Sequence, residues 1–132
     1  MSKLLLIDGN AILHRAYHAL PPLKTKKGKQ INAVYGFITM LLRAIVDLKP
    51  THIVVAFDTK EPTFRHKAYS PYQAQRPKME AKLASQFEII RKVMKSFAVP
   101  VYSVVGYEAD DVIGSLTKQA ERKIDEVVII TG

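Results

Sequence analysis

The stretch LLLIDGN, residues 4–10, sets four apolar residues in a row, then an aspartate, then a glycine. A run this short and this continuously apolar suits a parallel strand buried on both faces. Three further runs share the character: HIVVAF at 52–57, VYSVV at 101–105 and EVVII at 126–130. Between them the apolar spacing changes to three and four residues. Residues 33–48 place Val34, Phe37, Ile38, Leu41, Ile45 and Leu48 on one stripe. Residues 80–98 do the same with Leu83, Phe87, Ile90, Val93, Met94 and Phe97, and residues 109–123 with Val112, Ile113, Leu116 and Ala120. Each stripe is an apolar helix face suited to packing on a sheet. The alternation predicts βαβ units with right-handed crossovers, hence an α/β fold whose doubly wound, mainly parallel sheet is flanked by helices. No internal repeat or low-complexity linker interrupts it.

A chain of 132 residues is long enough for one domain with a real core. No apolar run approaches the roughly 20 residues of a membrane span, and the N-terminus lacks the apolar core of about 7–15 residues that an export signal carries. A cytoplasmic address is the expectation. With no cysteine, disulfides and thiolate metal sites are excluded, so any metal must be held by oxygen or imidazole. The 20 Lys and Arg exceed the 12 Asp and Glu, for a net charge of +8. Such an excess favours a polyanion, because each phosphate contact releases condensed counterions.

Two stretches stand outside the alternation. Residues 21–30, PPLKTKKGKQ, carry four lysines around a glycine and read as an exposed loop. Residues 59–79 are long for a connection in a compact α/β domain, and long irregular connections are usually functional or disordered. There Phe64, Tyr69 and Tyr72 are interleaved with Lys60, Arg65, Lys67, Arg76 and Lys78. That mixture suits a single strand, since cations track its backbone while rings stack on its bases. A solvated loop whose rings pack on the domain is the plainer reading.

The first strand ends at Asp8 and the second at Asp58, and the third leads through Gly106 to Glu108, Asp110 and Asp111 at a helix start. Ligands of open α/β sheets bind beyond the carboxyl ends of the strands, so these acids are expected to share one crevice. Helix capping and the helix dipole account for one or two of the last three. They do not account for Asp8 and Asp58 aimed at the same place, where gathered carboxylates raise one another's pKa unless a cation compensates. All-oxygen ligands suit Mg²⁺ or Mn²⁺. A basic surface around such a crevice is what phosphodiester hydrolysis needs: the bases hold nucleic acid, and a metal pair roughly 3.5–4 Å apart serves both attacking water and leaving oxygen.

Other constellations are weaker. His14 and His18 are four apart but lack an acidic third ligand at a recognisable spacing, so surface or core roles on a helix are expected. No GxxxxGK[ST] or GxGxxG occurs, so no nucleotide cofactor is expected. Asp8-Gly9-Asn10 lacks the second aspartate of a haloacid-dehalogenase-type phosphatase, and no nucleophilic triad is discernible.

Taken in order, LLLIDGNAILHRAYHALPPL, NAVYGFITMLLR, KPTHIVVAFD, PTFRHKAY, RPKM, GYEADDVIGSL and VVIITG closely resemble the N-terminal 5′→3′ exonuclease domain of bacterial DNA polymerase I, a relative of the flap endonucleases with a PIN-like (resolvase-like) fold. The resemblance covers essentially the whole chain, and IDGN, AFD and GYEADD together are highly specific. It implies a structure-specific, divalent-metal-dependent hydrolase of phosphodiester bonds acting on DNA with a 5′ flap or on RNA–DNA primer ends in replication and repair, with two Mg²⁺ or Mn²⁺ ions in the complete domain. On the resemblance, Asp8, Asp58, Glu108, Asp110 and Asp111 gather the metals. The stretch about 59–79 becomes a helical arch or clamp over the 5′ strand. Arg76 then contacts the scissile region with Tyr72 beside it, and Arg65, Lys67, Gln73 and Lys78 lie along the nucleic acid. Arg15, Tyr17 and Asn32 fall where relatives meet DNA.

Two departures bear on activity. The family's arch reads Tyr-Lys-x-x-Arg-Pro, whereas Tyr72 is followed here by Gln73. An amide supplies no positive charge to the scissile phosphate, so slower chemistry is expected unless Lys67 or Lys78 substitutes. Family members also continue past the motif matching Val127 to Gly132 into further aspartates and a helix-hairpin-helix element, with a polymerase domain beyond. Residues 1–132 thus read as the N-terminal resolvase-like part, one metal site short of ligands and the helix-hairpin-helix part absent. The alternatives are a non-catalytic DNA-binding fragment with an incomplete metal centre, or a PIN-like ribonuclease.

Overall fold

A computed structural model describes residues 1–59, 81–104 and 107–132. Four strands, β1 (Lys3–Asp8), β2 (His52–Ala56), β3 (Val101–Tyr102) and β4 (Glu126–Ile130), form one sheet in the order β3-β2-β1-β4, with every pairing parallel. Helices α1 (Gly9–Ala19) and α2 (Asn32–Leu48) join β1 to β2; α3 (Ala81–Ser96) precedes β3, and α4 (Ala109–Ala120) lies between β3 and β4. The strand order steps one way from β1 to β3 and then jumps back across β1 to β4. Right-handed crossovers that reverse direction put their helices on opposite faces. Accordingly Leu5, Ile7, Val55 and Phe57 pack with α1, α2 and α3 in one core, while Leu4, Leu6 and Ala56 pack with Ala109, Val112 and Ile113 of α4 in another. The sheet is doubly wound, as its pattern predicts. Each fully buried side chain such as Leu5, Ile7 or Phe37 contributes about 1.5–3 kcal/mol relative to exposure.

The element ends follow local chemistry. The run at 101–105 yields only a two-residue strand: Val101 and Tyr102 pair with Val55 and Ala56, whereas Ser103 and Val104 are exposed. Helix α2 stops where Lys49 turns left-handed (φ 49°) ahead of Pro50. Helix α3 stops at Ala98 (φ 58°), whose N–H donates to the Lys95 carbonyl at 3.0 Å. Helix α1, on which His14 and His18 are expected to lie, has no long apolar stripe to set its bounds. Its apolar stripe is short, and it begins because the Asp8 side chain accepts the Ala11 N–H at 3.1 Å, an N-cap supplied by the last residue of β1. Helices α1 and α2 pack closely at Gly36, where a Cβ would come within 2.7 Å of the Ala16 Cβ.

Three buried amides lock the helices together. Gln86 of α3 is fully buried, and its Oε1 accepts the N–H groups of Ala33 (2.7 Å) and Val34 (3.1 Å). It thereby caps α2, whose own N-cap residue, Ile31, offers no side-chain acceptor. Its Nε2 donates to Asn32 Oδ1 (3.0 Å) and to the Lys82 carbonyl (3.1 Å). Asn32 Nδ2 in turn donates to the carbonyls of Tyr17 (3.0 Å) and Leu20 (3.2 Å), and Gln30 Nε2 donates to Asn32 Oδ1 (3.1 Å). The end of α1, the start of α2 and the first turns of α3 are thus held by one satisfied polar cluster, which fixes their relation more specifically than apolar contact alone.

Candidate metal centre and nucleic-acid surface

The strand order reverses between β1 and β4; β1 ends in Asp8, and Asp58 follows two residues beyond the neighbouring β2. Asp8 is 6 % exposed. Burial raises its pKa, as do Asp110, whose carboxyl lies within hydrogen-bonding reach, and the charge of Asp58; the Ala11 N–H pulls the other way. Two carboxyls at that distance must share a proton or recruit a cation. Asp58 is half-buried and held on both sides: its N–H donates to Asn10 Oδ1 at 2.7 Å, and its Oδ1 accepts the Ala109 N–H. Asp8 and Asp58 therefore stand at the N-termini of α1 and α4, where helix dipoles favour negative charge.

Glu108 and Asp111 are turned toward backbone. Asp111 Oδ2 accepts the Glu108 N–H at 3.0 Å, in the manner of a capping box. Of the five acids read from the sequence, Asp58 and Asp110 both act on Asp8, while Asp111 Oδ2 accepts at the helix start beside Glu108. Among the described residues no three His, Asp or Glu side chains close around a single point that would hold a metal. The donor set still fits a hard, hydrated ion, because Mg²⁺ keeps several waters and binds through one or two carboxylates. Asp8 and Asp110 are the pair that could hold such an ion, with Asp58 close by.

Of the nucleic-acid contacts expected from the resemblance, Arg15 is exposed on α1 and Tyr17 is half-buried beside it. Asn32 is a correction. It is 2 % exposed, and its amide is spent on Tyr17, Leu20, Gln30 and Gln86, so it builds the surface from beneath and offers DNA no donor. Arg65, Lys67, Tyr72, Gln73, Arg76 and Lys78, with the arch expected at about 59–79, lie outside the described residues apart from Thr59. His14 meets the Phe87 ring edge-on at 5.7 Å and His18 lies edge-on to Tyr17 at 5.2 Å, so both take packing roles on α1.

Sequence reasoning missed four residues, three of which touch the acids or their backbone. Asn10 ties the start of α1 to Asp58. Arg91 of α3 stacks over Phe57 at 4.9 Å and its guanidinium approaches the Asp58 carbonyl at 3.4 Å. Thr131 Oγ1 donates to Asp8 Oδ2 at 3.3 Å, which draws the end of β4 to the site. Gln86 is the fourth. Asn10 carried a signal, as part of IDGN; the other three sit in ordinary helix and strand contexts.

Against this geometry the comparisons are consistent. Residues 3–132 match the family model described as the 5′-3′ exonuclease, N-terminal resolvase-like domain. The chain is 44 % identical over 131 residues to DNA polymerase I of Geobacillus stearothermophilus and 43 % identical over 130 residues to that of Bacillus subtilis, covering 99 % and 98 % of this chain. It spans 15 % of the length of each of these relatives. Among solved structures, the T5 5′-exonuclease with divalent zinc ions bound superposes with a TM-score of 0.67 at 20 % identity, over 98 % of this chain and 48 % of that one. The bacteriophage T5 flap endonuclease in a pseudo-enzyme–product complex with DNA and metal ions gives 0.63 at 22 % identity over the same shares. These likenesses show a shared PIN-like fold.

Proposed function

Because the chain belongs to the 5′-3′ exonuclease family, as an N-terminal resolvase-like domain, we propose that it forms the acidic, metal-binding half of a 5′ nuclease that hydrolyses phosphodiester bonds in DNA bearing 5′ flaps or RNA–DNA primer ends. The observation that carries this reading is the mutual approach of Asp8, Asp58 and Asp110 at the carboxyl edge of the sheet, inside a chain of net charge +8. Asp8 and Asp110 would hold a divalent ion, Mg²⁺ or Mn²⁺, with Asp58 completing the set. When bound, such an ion supplies the positive charge that phosphodiester hydrolysis needs at the attacking and leaving oxygens.

The chain's own residues do the rest. Asn10 and the Ala109 N–H hold Asp58 in place, and the Ala11 N–H binds one oxygen of Asp8 while Thr131 donates to the other. Arg91 covers the Phe57 ring and so shields the floor beneath Asp58. Bare carboxylates would repel a phosphate, so Asp8, Asp58 and Asp110 would need a bound cation to accept one beside them.

A second reading rests on the finding that no three described acids close on one point: the chain binds nucleic acid through its basic residues without cutting it. Cleavage of a 5′-labelled flap DNA in Mg²⁺ and in Mn²⁺, beside Asp110→Ala, separates the two. Metal-dependent cleavage that disappears in Asp110→Ala is expected; salt-sensitive binding without cleavage selects the second reading. A preference for single-stranded RNA over flapped DNA would point to a ribonuclease.

A further inference from the structure

Arg91 is an exposed residue of α3 whose guanidinium lies 4.9 Å from the centroid of the Phe57 ring. That ring is fully buried between the Gly9 backbone and Phe87. A guanidinium stacked on a fixed ring is held in one plane, so its edge donors are aimed before any ligand arrives. One of them, Nη2, approaches the Asp58 carbonyl at 3.4 Å, beyond the roughly 2.7–3.2 Å of a strong N–H···O bond. The guanidinium has further donors to spend. No described acid neutralises it either: the ion pairs among the described residues are Lys3 with Glu126 and Arg43 with Asp47.

Asp58 shows where that cation stands relative to the acids. The Asp58 carboxyl oxygen Oδ1 accepts the Ala109 N–H of α4, whereas the Asp58 carbonyl meets Arg91 of α3. These two helices pack on opposite faces of the sheet. Asp110, which acts on Asp8, also belongs to α4. The carboxyl edge is therefore acidic toward α4 and cationic toward α3. A residue serving only as counter-charge to the acids would pair with a carboxylate. Arg91 meets a carbonyl instead, and its charge stays available.

We propose that Arg91 is an anion-binding residue of this edge, whose guanidinium receives a phosphate oxygen of the nucleic-acid strand bound at Asp8, Asp58 and Asp110. The planar fork of arginine suits two oxygens of one phosphate, and a backbone contact of this kind carries no base preference. The proposal rests on the nuclease reading for its choice of partner. It adds to that reading a fixed cation on the side of the edge away from α4.

The test is binding of a 5′-phosphorylated, 3′-fluorescein-labelled octathymidylate in Ca²⁺, followed by fluorescence anisotropy across a range of KCl concentrations. The unaltered chain is compared with Arg91→Met, which keeps an apolar stem over Phe57, with Arg91→Lys, which keeps the charge, and with Lys92→Gln, an equal loss of charge one residue along. Arg91→Met should bind about tenfold more weakly and lower the slope of log K against log salt by ~0.7, the share of one phosphate contact on a single strand. Arg91→Lys should recover the slope but not the full affinity, because the fork is lost. Lys92→Gln should leave the slope unmoved. In the unaltered chain the Arg91 Nε–H signal, identified by its absence from Arg91→Lys, should shift on adding the oligonucleotide, a readout that needs no substitution to fold. Mn²⁺ affinity without DNA, followed by electron paramagnetic resonance, should not fall in Arg91→Met. Unchanged affinity and slope in Arg91→Met, with an unmoved Nε–H signal, would reduce Arg91 to a cover for Phe57. Equal losses in Lys92→Gln would make it a share of the general charge, and a fall in Mn²⁺ affinity would make it a support for Asp58; either overturns the proposal. Cleavage of a 5′-labelled flap DNA in Mg²⁺ by the unaltered chain keeps the two claims apart. The nuclease reading falls alone if binding responds to Arg91 but nothing is cut, and the Arg91 claim falls alone if the DNA is cut while Arg91→Met binds as the parent does.

Discussion

Replacing Gly9 by Ala should both destabilise the chain and disturb the acidic site. Gly9 is the first residue of α1, buried against the Phe57 ring, and a Cβ there would lie within 2.6 Å of Cζ and 2.8 Å of Cδ1. The ring has nowhere to go, being fully buried, packed edge-on against Phe87 at 5.7 Å and covered by Arg91. Overpacking of this kind costs about 1–3 kcal/mol. The helix propensity gained by Gly→Ala, at most ~1 kcal/mol and less at a helix end, offsets part of it. A net loss of about 1–2 kcal/mol corresponds to a Tm lower by roughly 4–8 °C for a domain of this size. Because Gly9 follows Asp8 and Phe57 precedes Asp58, the same clash separates the two carboxylates, and the rise in Tm on adding Mg²⁺ should shrink. Thermal and urea unfolding in EDTA and in Mg²⁺ measure both effects. Pairing Gly9→Ala with Phe57→Leu should recover part of the stability relative to the sum of the single changes. A Gly9→Ala protein within about 0.5 kcal/mol of the parent, with an intact Mg²⁺ response, would refute the packing argument, since surface changes fall in that range.

Three further outcomes follow from the same geometry. Asp8→Asn keeps an N-cap of equal quality and removes a buried charge. A raised carboxyl pKa means the folded state binds its proton more tightly, so stability is lost as pH rises from the unfolded value toward the folded one. In EDTA at neutral pH, Asp8→Asn should therefore melt above the parent, while its Mg²⁺-induced stabilisation disappears; calorimetry with and without the ion checks both. Gln86→Met should cost about 2–5 kcal/mol in urea titrations, because it leaves the buried Ala33 and Val34 N–H groups without an acceptor and removes one donor from Asn32 Oδ1, and Gln86→Glu, which keeps the acceptor, should cost less. Asp125, which accepts from the Ser2 N–H at 2.7 Å and Oγ at 3.2 Å, is held below the ordinary carboxylate range by those bonds. Its contribution is present above the unfolded pKa and fades as pH falls through the lowered folded value; carboxyl chemical shifts in Ser2→Ala should move its titration upward.

What was legible in the sequence was whatever the buried sheet imposes. A doubly covered parallel strand has to be apolar throughout, so LLLI reads directly, EVVII reads as strand although Ile129 of β4 is exposed, and strand-end acids point at a crevice whatever their neighbours. The bounds and packing of helix α1 were not legible because its start is decided by the Asp8 cap and its packing by Gly36 on another helix, neither of which leaves a periodic stripe. Asn32 illustrates the opposite limit. As an isolated amide in a segment resembling a DNA-contacting one it reads as a surface donor, and only the three-dimensional approach of Gln86 and the Tyr17 and Leu20 carbonyls turns it inward. Likewise five acids in three motifs read as one cradle, and only the structure shows that Asp111 also accepts the Glu108 N–H at the start of α4.

The central claim is that the carboxyl edge of this sheet gathers a divalent cation between Asp8, Asp58 and Asp110. The most direct measurement is the broadening of backbone amide signals by substoichiometric Mn²⁺ in ¹⁵N–¹H spectra of the 132-residue chain. Selective loss of the signals of Asp8 to Ala11, Asp58 and Glu108 to Asp111, reversed by excess Mg²⁺ and abolished in Asp110→Ala, is the predicted result. Broadening centred instead on Asp47, Glu88 or Asp125, or none in this region at millimolar ion, would contradict it.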